Sequence, residues 1–236
     1  MKKPSFISVI IVAGGKGRRY GDNIPKQFAH LSRKPVIQRS LERFASIKNV
    51  KEIIVAIPTN YAKYFREKVL SRIESSKSIL IVKGGGTRQD SVFRAIDSVS
   101  PKSDIIMVHD AVRPLVGRNE ILKLVPVVTK NKAAILAVPA SDTVKLVLGN
   151  IITKTLPRNN VWLAHTPQGF ETKLFMRAAA KAKRDGFVGT DCSSLVERIG
   201  WRVRVVEDSH RNMKITTKAD LRIMGSALKI ERQRQN

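Results

Sequence analysis

Apolar residues recur along the chain in short runs rich in β-branched side chains, at positions 6–12, 52–57, 79–82, 105–108 and 133–138. Each run is closed off by polar or turn-forming residues, the pattern of a buried strand. Between the runs, at 36–44, 61–73, 90–99 and 119–129, apolar positions return at helical spacing. Buried strands alternating with helices build an open, mostly parallel sheet covered on both faces, so the pattern predicts a doubly wound α/β fold. Ligands of such sheets lie at the carboxyl ends of the strands, where loops lead into helices. The chemically informative residues are expected there.

The alternation breaks after position 139. Segments 143–148 and 151–156 flank Gly149-Asn150 and read as a β-hairpin. A lone hairpin has too little core to stand by itself, so an arm over 139–160 is expected to pack on another subunit. Helical spacing returns at 173–183 and 191–199, a strand follows at 202–206, and a last helix starts at Lys218, with a fraying tail at 231–236. There is no internal repeat or low-complexity linker, and 236 residues suffice for one full core, so a single domain over 1–236 is expected.

The loops after the strands carry the chemistry. The first strand runs into Ala13-Gly14-Gly15-Lys16-Gly17-Arg18-Arg19 and then Pro25-Lys26-Gln27. Glycines let backbone N–H groups close around phosphate oxygens, and the cations offset a triphosphate's charge. The spacing matches neither the dinucleotide fingerprint nor the Walker loop; with Arg19 and Lys26 it resembles the signature of the sugar-phosphate nucleotidyltransferases. After the third strand stands Gly84-Gly85-Gly86-Thr87-Arg88-Gln89-Asp90-Ser91-Val92, and after the fourth His109-Asp110-Ala111-Val112-Arg113-Pro114. Thr166-Pro167-Gln168-Gly169-Phe170, Thr190-Asp191 and Arg211-Asn212-Met213-Lys214-Ile215-Thr216 follow.

Together these segments, from Val9 to Leu221, resemble the 2-C-methyl-D-erythritol 4-phosphate cytidylyltransferase family. The resemblance implies a Rossmann-like sheet of the nucleotide-diphospho-sugar transferase type with a projecting β-arm. It also implies transfer of a cytidylyl group from CTP to the sugar-alcohol phosphate, with release of pyrophosphate, in isoprenoid precursor synthesis. Arg19, Lys26, Arg158 and Lys214 match the family's catalytic cations. Ala13, Gly14, Gly15, Gly17, Arg19, Lys26, Gly85, Gly86, Arg88, Ser91 and Lys214 match its CTP site. Asp110, Ala111, Arg113, Thr143, Arg158, Thr166 and Thr190 match its acceptor site. The family further implies Mg2+, held mainly through the CTP phosphates with Asp110 as the candidate protein contact, and a homodimer in which the arm reaches toward the partner's pocket. The nucleophile is already an anion, so no general base is required, and His109 reads as a positioning residue.

Five positions depart from the family pattern. Gly14 stands where alanine is usual and Tyr20 where methionine is usual, while Cys192 replaces an acid and Asp208-Ser209-His210 replaces Gly-Ser-Glu. The double glycine also occurs in ribitol 5-phosphate cytidylyltransferases, which keeps that acceptor as an alternative at this point. The chain stops about where the transferase domain ends, so a monofunctional enzyme is expected.

Composition changes this picture in three places. A formal charge of +25 raises a different class, a nucleic-acid-binding or scaffold protein without turnover. The basic residues are spread along the chain with few aromatics to stack bases, so most of the excess reads as solvated surface. The single cysteine, Cys192, excludes an intramolecular disulfide and fits a reducing cytoplasm or a plastid stroma. It lacks the companions of a thiol nucleophile, and Asp191, Ser193 and Ser194 around it read as a helix start. Lys2 and Lys3 before an apolar run imitate a secretory signal, but the run leads straight into the glycine loop and is better explained as a strand. No run is long enough to span a membrane.

Overall fold

The computed structural model describes residues 6–15 and 24–233. The chain runs through β1 (Ile7–Val12), the short ribbon β2 (His30–Leu31) and β3 (Lys34–Pro35), α1 (Val36–Ala45), β4 (Val50–Ile57), α2 (Ala62–Lys68), β5 (Ser78–Lys83), α3 (Arg88–Ile96), β6 (Ile105–Asp110) and α4 (Arg118–Asn131). It continues through β7 (Ala133–Pro139), the arm strands β8 (Lys145–Leu148) and β9 (Ile151–Thr155), β10 (Trp162–Glu171), α5 (Thr172–Arg184), α6 (Ser193–Arg198), β11 (Arg204–Glu207) and α7 (Lys218–Gln233).

Seven strands form one sheet in the order β11-β7-β10-β6-β1-β4-β5. Neighbouring pairs are parallel except where β10 lies antiparallel between β6 and β7. The chain leaves β1 toward β4 on one side and returns to β6 on the other, so the strand order reverses at β1 and a crevice opens at the carboxyl ends of β1 and β6.

The sheet is apolar on both faces, as strands sandwiched between helices must be. Alternate strand residues divide between the two. One face packs Val9 and Ile11 of β1, with Ile53 and Val55 of β4, against Ile37, Leu41 and Phe44 of α1, Phe65 of α2 and Leu124 and Val128 of α4. The other face packs Ile10, Ile54 and Val108 against Val92 of α3, Phe175 and Ala178 of α5 and Leu195 of α6. Phe44 is fully buried, so truncating it to alanine should cost roughly 3–5 kcal/mol. α7 closes a smaller cluster, with Met224 against Leu31, Val36, Val112 and Ile215. No helix among the described residues is long and apolar enough to cross a membrane.

Three elements differ from the sequence pattern. β10 is not announced by alternation, because Pro167 and Gly169 interrupt it and its ladder with β7 is irregular between Ala164 and Gln168. Gly169 nevertheless belongs there: a Cβ would stand 2.8 Å from Val128 Cγ2, so the bare backbone lets α4 approach. The helix expected over 61–73 stops at Lys68, with Val69 at φ −117° and a 3-10 turn at Leu70–Arg72. α3 starts at Arg88, two residues before its expected start, because Thr87 caps it.

The arm forms as expected. Gly149 and Asn150 take φ of 53° and 67°, the left-handed pair of a type I′ hairpin turn. Leu146, Val147, Leu148, Ile151 and Ile152 are all exposed, Leu148 at 75%.

Candidate active site

One side of the crevice is built from two bare backbones in contact. A Cβ on Gly14 would lie 2.6 Å from Ser91 Oγ and 3.4 Å from Gly84 Cα, which accounts for glycine at this position in this chain. Ser91 is buried; its hydroxyl accepts from the Gly85 N–H at 2.9 Å and donates to the Thr87 carbonyl at 3.0 Å. A side chain on Gly85 would strike Asp90, whose carbonyl carbon lies 2.7 Å from the added Cβ. Thr87 and Asp90 form a capping box at the start of α3, with Thr87 Oγ1 accepting from Asp90 N and Asp90 Oδ2 accepting from Thr87 N. On the facing side, buried Gln27 donates its amide to the carbonyls of Ala13 at 2.6 Å and Gly15 at 3.2 Å. Residues 13–15 and 84–90 are thus held by the protein's own hydrogen bonds.

Asp110, the last residue of β6, is where distant segments meet. Arg88 Nε donates to Oδ1 at 2.8 Å and Lys214 Nζ to Oδ2 at 2.7 Å. Lys26 Nζ, from a third segment, donates to the carbonyl of Ile215 at 2.9 Å, one residue beyond Lys214. A cleft of about 140 Å³ opens here, with Ala13, Gly15, Lys26, Arg88, Asp110 and Lys214 on its walls. Burial pushes the Asp110 carboxyl up, but Arg88 and Lys214 outweigh it and hold the group well below the usual carboxylate range. Three cations face one ionised carboxylate, so the cleft is positive and suits a polyanion. A larger cleft of about 450 Å³ lies between α1, α7 and the loop after β6, and none of the expected site residues among those described lines it.

The floor beneath Asp110 is a closed hydrogen-bond network. The Thr166 hydroxyl accepts from Asp110 N at 3.0 Å and lies 3.0 Å from His109 Nδ1, while His109 Nε2 lies 3.2 Å from the Arg113 carbonyl. These partners assign the proton of neutral His109 to Nε2, donating to Arg113, with Nδ1 accepting from Thr166. Burial lowers the His109 pKa to about 4, so the ring is a neutral spacer at physiological pH. It also packs edge-on against Phe44, ring centroids 4.9 Å apart.

Lys214 is delivered by a loop that is tied down from below. Asp208 Oδ2 accepts from Asn212 Nδ2 at 2.6 Å and lies 2.8 Å from His165 Nδ1, and Asn212 also donates to the Thr166 carbonyl at 2.8 Å. Arg113 Nη1 donates to the Asn212 carbonyl at 2.6 Å. The departure at Asp208 therefore supplies a buried anchor to the loop that carries Lys214.

The expected residues separate by their place in the structure. Ala13, Gly15, Lys26, Gly86, Arg88, Asp110 and Lys214 line the cleft. Ser91, Ala111, Arg113 and Thr166 are buried, and the polar ones are bonded internally, so these side chains support walls and floor. Thr143 and Arg158 are exposed on the arm, where Arg158 Nη1 donates to the Ser141 carbonyl at 3.0 Å, and neither lines the cleft. Thr190 is exposed and borders a small cavity with Arg88 and Cys192. Gly17 and Arg19 lie outside the described residues.

Cys192 is buried, and Arg88 Nη1 donates to its Sγ at 3.2 Å. Burial pushes the thiol up, with Arg88 opposing only in part, so it stays a thiol and not a nucleophile. Sequence reasoning assigned no role to Gln27, Gln89, Gln168 or Asp208. Thr87-x-x-Asp90 is a support with a sequence signature, since it has capping-box spacing. Single glutamines bonding distant backbone have none.

Comparison with known proteins bears on the whole chain. The family model described as IspD, 2-C-methyl-D-erythritol 4-phosphate cytidylyltransferase, matches residues 7–229. Curated relatives of that name include one from Acidobacterium capsulatum, 42% identical over 227 residues, covering 92% of this chain and 95% of the relative. Another, from Clostridioides difficile, is 38% identical over 226 residues, covering 96% of this chain and 95% of the relative. Among solved structures, the 4-diphosphocytidyl-2C-methyl-D-erythritol synthase of Anaerococcus prevotii superposes with a TM-score of 0.84 at 30% identity, covering 95% of this chain and 99% of that one.

Proposed function

The chain belongs to the 2-C-methyl-D-erythritol 4-phosphate cytidylyltransferase family, and from that premise we propose how its crevice carries out the reaction. The enzyme transfers a cytidylyl group from CTP to 2-C-methyl-D-erythritol 4-phosphate, giving 4-diphosphocytidyl-2-C-methyl-D-erythritol and pyrophosphate in isoprenoid precursor synthesis. The curated relatives' shared name favours this acceptor over ribitol 5-phosphate, and favours an enzyme over a nucleic-acid-binding scaffold.

The observation that carries the mechanism is the meeting of Lys26, Arg88 and Lys214 around Asp110 at the strand-order reversal. The backbone of Ala13 to Gly15 and of Gly84 to Gly86 receives the nucleotide, and fixed backbone groups distinguish the cytosine amino group from a uracil carbonyl because the wrong base leaves polar groups unpaired. A phosphate oxygen of the acceptor attacks the α-phosphorus in line. The new P–O bond forms as the bond to the β-phosphate oxygen breaks, and pyrophosphate leaves with that electron pair. The attacking oxygen carries no proton, so nothing has to remove one. Lys26, Lys214 and Arg19 stabilise the charge that builds on the transferring group. Asp110 holds Lys214 and Arg88 in place before substrates bind, and the acceptor's polar groups lie between Asp110 and Thr190.

Mg2+ is the divalent cation of this reading. Among the described residues the cleft offers one carboxylate, Asp110, whose two oxygens already meet Arg88 and Lys214, and such a donor set suits an ion held mainly by phosphate oxygens and water. When bound, the ion supplies charge neutralisation to the triphosphate and the leaving pyrophosphate. The chain acts as one domain in a cytoplasmic homodimer, its 139–160 arm packed on the partner. The exposed apolar arm strands support this, as does the position of Thr143 and Arg158 away from their own cleft.

The test is pyrophosphate release with Mg2+ and CTP, comparing methylerythritol 4-phosphate with ribitol 5-phosphate and CTP with UTP. Release with the first acceptor and CTP alone is expected. Equal or greater release with ribitol 5-phosphate would move the protein to another acceptor, and release unchanged by Lys214→Met would remove the proposed mechanism.

A further inference from the structure

Gln89 has no part in the assignment above, yet its side chain ties the nucleotide loop to the segment that carries Thr190. Its Nε2 donates to the Phe187 carbonyl at 2.7 Å, and its Oε1 accepts from the Gly189 N–H at 2.8 Å. Bonds to the carbonyl of one residue and the N–H of the residue two further on are those that one residue of a parallel strand makes with its neighbour. The Gln89 amide thus acts as a one-residue strand joined to a single segment whose two bonded residues lie 98 and 100 positions away in sequence.

Both ends of the bridge are fixed. Gln89 sits in the first turn of α3, inside the Thr87–Asp90 capping box and next to Arg88, which holds Asp110. On the other side Phe187 N donates to the Ala182 carbonyl at 2.9 Å, and a Cβ on Gly189 would lie 2.9 Å from Leu195 Cδ2. Beyond Thr190, Gln168 Oε1 accepts from Cys192 N at 2.9 Å and its Nε2 donates to Asp191 Oδ2 at 2.7 Å. Thr190 is therefore held between two glutamine clamps, and Gln89 is the one that belongs to the nucleotide loop.

We propose that Gln89 is a positioning residue that couples the two substrate sites, setting the Thr190 segment against the loop that receives CTP so that filling one site raises affinity at the other. The proposal rests on the assignment of loop 84–88 to CTP and of Thr190 to the acceptor. Coupling of this kind is reciprocal in free energy, so it is readable from either ligand.

The experiment is calorimetric titration of the whole protein with α,β-methylene-CTP, which cannot be transferred, and methylerythritol 4-phosphate, each alone and with the other saturating. Gln89→Met keeps the length of the side chain and removes both bonds; Thr190→Val is the companion. In Gln89→Met, the acceptor's Kd with nucleotide present is expected to rise about tenfold, as for two hydrogen bonds of ordinary net strength, while the nucleotide's Kd alone stays within about twofold. The factor by which each ligand tightens the other should fall toward one. An unchanged acceptor Kd in Gln89→Met, with Thr190→Val weakened, would overturn the coupling role and leave the site assignment standing. Equal loss of both ligands would reduce Gln89 to a structural support and also overturn it. An unchanged acceptor Kd in Thr190→Val would remove the site assignment itself, and the proposal with it.

Discussion

Lowering the pH from 7.5 to 5 should cost this protein about 2 kcal/mol of stability through His109 alone. The ring is fully buried, neutral and satisfied at both nitrogens, and folding moves its pKa from 6.5 to about 4. Between those values the unfolded chain binds the proton and the folded chain refuses it, so stability falls as pH falls. The contribution is whole above 6.5 and is lost as pH drops to about 4, with a limit of about 3 kcal/mol for a shift of this size. Urea unfolding of the wild type and of His109→Gln at pH 7.5, 6 and 5 isolates the effect, because the other histidines and the carboxylates are common to both proteins. The wild type should lose about 2 kcal/mol more than the variant over that range. Parallel losses would refute the argument, as would an NMR titration of the His109 ring with a midpoint above 6.

Other outcomes follow from the same geometry. Lys214→Met should lower kcat by roughly 10²–10³, the usual cost of removing one donor from a developing oxyanion, with the circular dichroism spectrum unchanged; loss of less than threefold would remove Lys214 from the transition state. Gly85→Ala puts a Cβ 2.7 Å from the Asp90 carbonyl carbon, so the loop must shift and CTP affinity should fall at least tenfold by titration. Placing aspartate at both Leu148 and Ile151 should convert a dimer to a monomer in sedimentation velocity, and a wild type that sediments as a monomer would exclude the arm as an interface. Chelation of divalent ions should abolish pyrophosphate release and excess Mg2+ should restore it; turnover that survives chelation would remove the ion from the reaction.

The sequence revealed the central strands β1, β4, β6 and β7 because each is an apolar run buried almost throughout, and it revealed the cleft because glycines, lysines and an aspartate follow such strands. β10 escaped, since a strand holding Pro167 and Gly169 has the composition of a loop and only pairing with β6 and β7 makes it a strand. The division of labour within the site escaped too. Nothing local in Arg113 or Ser91 separates a side chain that faces ligand from one that binds backbone behind the wall; that depends on Asn212 and Gly85, contacts the fold supplies. Asp208 was legible only as a departure from a family pattern, and its purpose appears once His165 and Asn212 stand beside it.

The neck of the arm has a consequence for how such enzymes can diverge. Ala140 N donates to the Val161 carbonyl at 2.9 Å, at the edge of the ladder that joins Pro139 to Trp162, so the excursion between them leaves and re-enters the sheet at one point. Everything from 141 to 160 is a cassette: a tight turn in its place would preserve every β7–β10 pair. The cassette carries the exposed apolar strands together with Thr143 and Arg158; on the roles proposed for them above, a single exchange between relatives would transplant partner choice and acceptor contacts together while leaving the rest of the sheet untouched.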